Sequence, residues 1–204
     1  MTFLAADLNS AGPLISLLTT VGKFLSLTAG FTTIGLLLAM GFLLFDKAGK
    51  LSGAALVLRN YAAITSALWA VGQGLNILTT LANILGTDLV GALDPTSLRS
   101  FVSQIALGKY MFIQLCLALL ISVIVLRAKT VATANALLLT SIIAMVAPVF
   151  ESHAASSGSH SLAIGSLVVH VVALSFWVGG LIAITILSAE DRAEMIRAML
   201  EMAI

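Results

Sequence analysis

Three histidines, His153, His160 and His170, fall inside one eighteen-residue window. Imidazole suits copper, zinc, iron and nickel, and added thioether or thiolate ligands shift the preference towards Cu(I). His153 and His160 flank a Ser/Gly-rich link of six residues that lets both rings reach one ion, and Glu151 supplies an oxygen beside them. His170 lies ten residues past His160. On continuous helix that is about 15 Å of rise, too far to share an ion, so it makes a second station. A histidine inside an apolar span is costly without a partner, which makes a functional site the default reading.

The soft donors lie in the apolar runs. Met111 and Met145 fall at depths comparable to that of His170, and Cys116 lies about one and a half turns deeper than Met111. A lone methionine in a span is ordinarily a gap filler. An outward-facing His/Met cluster of His153, His160, His170, Met111, Met145 and Glu151 is the copper reading of this sequence. Solvated loop histidines and an interhelical hydrogen bond from His170 are its plain alternatives.

The elements that position these residues are membrane helices. Apolar residues make up 60% of the 204-residue chain and charged residues 9%. A soluble domain carries about 25% charged residues. The sequence therefore predicts an all-α, polytopic transmembrane bundle. Five spans are expected, at about 22–45, 55–85, 101–126, 131–150 and 161–187. Together they form one transmembrane domain, 1–188, followed by an amphipathic tail, 189–204, with Met195, Met199 and Met202 on it. The first apolar stretch is longer than one crossing. It either tilts or begins with an interfacial segment that breaks near Gly22, where Lys23 can snorkel.

Basic residues set the orientation. Lys47, Lys50, Arg59, Arg127, Lys129, Arg192 and Arg197 fall on one side; Lys23, Arg99 and Lys109 fall on the other. The N-terminus is expected outside and the tail in the cytoplasm, with the histidine link facing out. The second span carries Thr65, Trp69, Gln73, Asn76 and Thr80 at helical spacing, a stripe expected to face the bundle as structural glue. Gly35, Gly41, Gly72, Gly74, Gly179 and Gly180 suit close helix contacts. A net charge of +1 gives no case for nucleic acid, and a single cysteine excludes an internal disulfide.

His153, His160, Val169-His170 and the run Trp177-Val178-Gly179-Gly180 together resemble the copper resistance protein D (CopD) family. The resemblance is greatest to actinobacterial members in which such a domain is fused to a CtaG-type cytochrome oxidase assembly domain. It implies a multi-pass protein of the bacterial inner membrane that takes part in copper uptake or in copper delivery to a respiratory enzyme, with His153, His160 and His170 as ligands. It implies as partners the lipid, a periplasmic copper chaperone, and other membrane subunits or a further C-terminal part, because family members continue for several more spans. Two other functions stand beside it. One is a haem-b electron-transfer subunit, which needs two facing imidazoles. The other is an accessory structural subunit of a larger respiratory complex. No arrangement of an enzyme is expected: the sequence holds no Ser/His/Asp set, no paired carboxylates within a span and no phosphate loop.

Overall fold

The computed structural model describes residues 12–44, 48–148 and 160–202, with side chains over 12–44, 48–148 and 164–191. The described residues form helices and no strands. They are α1 (Pro13–Leu38, continued by a π-helical turn, Ala39–Leu43), α2 (Gly53–Leu85), α3 (Leu89–Ala92), α4 (Pro95–Gln104), α5 (Ala106–Val125), α6 (Val131–Val146) and α7 (His160–Met202). Four stretches are long and apolar enough to cross a membrane: Pro13–Leu43, Gly53–Leu85, Ala106–Val125 and Ile164–Asp191; Val131–Val146 is a shorter apolar helix. This is an all-α, multi-pass membrane protein.

The helix ends follow local chemistry. Pro13 opens α1, where its missing N–H costs nothing. Ser52, Asp88, Asp94 and Thr130 cap α2, α3, α4 and α6 by accepting from backbone N–H groups three residues on. Gly86 ends α2 with a left-handed φ of 64° that a side chain would resist. Pro148 follows the end of α6.

Two features depart from simple rods. α1 runs unbroken through Gly22, which is buried against Leu75 and Asn76 of α2 instead of marking a break. The third apolar stretch is divided at Ile105, which adopts φ −89° and ψ 126° between α4 and α5. Gly108 permits the sharp approach, because a Cβ there would meet the Phe101 backbone.

α1 is the hub. It packs on α2, α6 and α7, while α2 also packs on α5. The core between them is built from Ile34, Leu36, Leu37, Met40, Leu58 and Ile121. Interhelical hydrogen bonds supplement it, such as Thr33 Oγ1 donating to Thr65 Oγ1 at 2.9 Å. α7 rests on α1 along the small residues Ser175, Gly179 and Ala183, all buried. Tyr61 Oη donates to Glu190 Oε1 at 2.7 Å and ties α7 to the start of α2. At the same end of the bundle the two short links pair: Leu51 N donates to Lys129 O, and Val131 N to Gly49 O.

Candidate functional site

Polar side chains inside an apolar bundle need partners, so where they gather marks the site. They gather towards the end of the bundle opposite the paired links. Lys23, Gln73, Asn76, Gln114 and Pro148 line two adjoining chambers, of about 270 and 300 Å³. Met145 belongs to the first chamber, with Leu167 and Val171 of α7; Met111 belongs to the second, with Thr80 and Leu107. Every long helix contributes a wall.

Each wall has a local cause. Gln73 sits at the centre of the stripe on α2 and is 2% exposed. Its Oε1 accepts from Ser26 Oγ of α1 at 3.1 Å, and its Nε2 donates to the Met111 carbonyl of α5 at 3.3 Å. One amide thus joins three helices. Glycine lets α1 and α2 close on each other: a Cβ at Gly72 would stand 2.7 Å from the Ser26 nitrogen. Gly30 leaves the space that the Met145 methyl fills beside Trp69. Lys23 lines both chambers and is exposed, as a long side chain with an apolar stem and a solvated charge can be.

Four buried side-chain atoms among the described residues lack a hydrogen-bond partner, Arg59 Nε, Trp69 Nε1, Asn135 Oδ1 and Asn76 Oδ1, and of these only Asn76 lines the chambers. It is 6% exposed, and its Oδ1 is buried with no hydrogen-bond partner among the described residues. An acceptor left without any partner costs about 1–3 kcal/mol, so this oxygen is open to whatever polar group reaches the chamber. A water or a cation satisfies a carbonyl oxygen; another acceptor does not.

The sequence-predicted residues divide. Met111 and Met145 are buried, 8% and 5% exposed, and they line the adjoining chambers. His170 does not join them. It is exposed on α7, nine residues from the buried Gly179. Nine residues at about 100° each put it on the opposite face of the helix. Its neighbour Val171 lines the Met145 chamber, so His170 stands at the right depth but points away. Cys116 is exposed on α5. Glu151 and His153 lie outside the described residues, as do the side chains of His160, Met195, Met199 and Met202. Among the described residues no group of three or more His, Cys, Asp and Glu side chains is placed to hold a metal ion. Gln114, 5% exposed, adds a wall that no motif announces; its one signal is a lone amide in an apolar run.

Residues 14–162 match the family model of the copper resistance protein D-like N-terminal domain. The chain belongs to that family. No curated protein and no solved structure matches it. The copper resistance protein D-like match spans α1 to α6 and reaches the first residues of α7, so it takes in both chambers' walls except those from α7. His153, His160 and Glu151 fall inside it; His170 and the Trp177-Val178-Gly179-Gly180 run fall beyond it.

Proposed function

We propose that this protein carries copper within the bacterial inner membrane, for uptake or for delivery to a respiratory enzyme. The cargo is Cu(I). In this reading the N-terminus and the histidine link face outward, and His153, His160 and Glu151 take the ion from a periplasmic copper chaperone. Met111 and Met145 then receive it. The observation that supports the reading is their place in adjoining chambers that share Gln73, Asn76 and Gln114.

The donor set suits passage more than storage. Two thioethers are soft and neutral, matched to Cu(I) and indifferent to harder ions. The Asn76 Oδ1 and the amides around it offset part of the cost of bringing charge out of water. Lys23, the one charged residue lining both chambers, opposes a resident cation. A site that conducts must bind well enough to load and weakly enough to release. The ion only exchanges coordination bonds, from the outer ligands to the thioethers, and keeps its oxidation state, so in this reading the protein acts as a carrier and not as an enzyme.

Copper per chain after mild purification tests this. Met111→Leu with Met145→Leu, and separately His153→Ala with His160→Ala, are expected to lose copper while the protein stays folded. Unchanged copper in both pairs would overturn the reading.

A second reading rests on His170. An imidazole on the open face of α7, opposite the Gly179 contact, wants a polar partner from another chain or a further segment. The protein would then be an accessory subunit of a larger respiratory membrane complex. Subunits that co-purify at fixed stoichiometry and are lost in His170→Ala favour it; a Soret band lost with them would make His170 a haem b ligand.

A further inference from the structure

A third cavity lies between α2, α4 and α5 and shares no lining residue with the two chambers. Its volume is about 490 Å³. Ile77, Leu78, Leu98, Val102, Phe112 and Leu115 make its walls, and Arg99 is its one charged residue. The wall from α5 begins six residues into that helix and ends nine residues in, so the groove reaches roughly 9–14 Å below the start of α5. Its apolar floor continues onto the open flank of α5, where Phe112 is 44% exposed.

The roof is fixed in place. α4 buries Phe101 and half-buries Leu98 and Val102, and Gly108 brings its end against α5 without a gap. Arg99 is exposed on this roof and has no ion-pair partner among the described residues. The two aspartates of the neighbouring turns are occupied elsewhere. Asp88 Oδ1 accepts from Gly91 N and Asp94 Oδ2 from Ser97 N, both at 2.8 Å. One exposed guanidinium on the rim of an apolar groove whose α5 wall is partly open at Phe112 complements one molecular shape: a phosphate with an alkyl chain attached.

We propose that this groove holds an acyl chain of an anionic phospholipid whose phosphate pairs with Arg99. The guanidinium presents a planar fork of donors that matches phosphate oxygens. A lipid with net negative charge gains from it fully, whereas a zwitterionic headgroup brings its own ammonium to compete. The lipid would brace α4 against α2 and α5, across the extended residue Ile105.

Gly74 supplies the test. It lines the groove, and a Cβ there meets nothing within 4 Å, so a larger side chain starts out in open groove space. The full chain is placed in phosphatidylcholine nanodiscs and titrated with phosphatidylglycerol, and retained lipid is counted by native mass spectrometry. Wild type is expected to keep one phosphatidylglycerol per chain in preference to phosphatidylcholine. Arg99→Gln should reduce that preference roughly fivefold, the effect of one basic residue near a membrane surface. Gly74→Leu should abolish retention while melting no lower than wild type in phosphatidylcholine alone, where the groove has no anionic lipid to lose. Equal retention of both lipids by wild type, or undiminished retention by Gly74→Leu, overturns the proposal. So does a Gly74→Cys, Cys116→Ser chain that cross-links to a second copy, which would make the groove a protein contact.

Discussion

Gly35 on α1 and Gly179 on α7 meet backbone to backbone. A Cβ on Gly179 would stand 2.6 Å from the Gly35 Cα, and one on Gly35 would strike the Gly179 carbonyl. Gly180 beside it meets nothing within 4 Å. The two glycines therefore answer substitution oppositely. Gly179→Ala should lower stability by about 1–3 kcal/mol, the usual cost of overpacking. Gly180→Ala should be neutral or gain about 0.5–1 kcal/mol from helix propensity. Thermal melts of both variants in one detergent check this.

Gly30 controls where the Met145 thioether lies. A Cβ at Gly30 would occupy the place of the Met145 methyl and stand 3.1 Å from Trp69. The methionine chain is flexible and gives way cheaply. Gly30→Ala should thus cost under about 1.5 kcal/mol. It should still reduce copper per chain, because the sulfur moves. Copper analysis alongside a melt separates the two effects; a stable variant with full copper would speak against Met145 as a donor.

Gln73 joins α1, α2 and α5 through Ser26 and the Met111 carbonyl. Interhelical hydrogen bonds in membranes average about 0.6 kcal/mol and reach about 1.7. Gln73→Leu should fall in that range when unfolding is titrated with a denaturing detergent. Gln73→Ala should cost more, since it adds an empty volume between three helices.

Asp94 caps α4, and the Ser97 backbone N–H holds its carboxyl below the ordinary value. The cap is complete above the pKa of the unfolded chain and is lost as pH falls through the lower folded value. Protection of the Ser97 amide, relative to its intrinsic exchange rate at each pH, should fall in strong acid in the wild type. In Asp94→Ala the same amide should exchange fast even at neutral pH.

The apolar runs and their charged links made the membrane bundle legible in the sequence, because crossing a bilayer demands a composition that little else produces. The stripe from Thr65 to Thr80 was legible too: spacing of three and four residues sets one face, and Trp69, Gln73 and Asn76 are buried there. What escaped the sequence is direction on helices that are apolar all round. Nothing near His170 tells which way it points; the Gly179 contact with α1 decides it. Glycines carry the same ambiguity. Gly35, Gly72 and Gly179 seat a neighbouring backbone, while Gly74 and Gly180 face open space, and the residue type is identical. The interruption at Ile105 has no Gly or Pro at the break itself. It comes from the seating of Phe101 against Gly108, a contact between two helices and so absent from any local pattern.

The pairing of the two short links makes the bundle behave like a clothes-peg. Backbone bonds from Leu51 to Lys129 and from Val131 to Gly49 clamp the turn between α1 and α2 to the turn between α5 and α6. Four helices are pinched at one end. The chambers that hold Lys23, Met111 and Met145 lie at the other end, where no such backbone bond between links is found among the described residues.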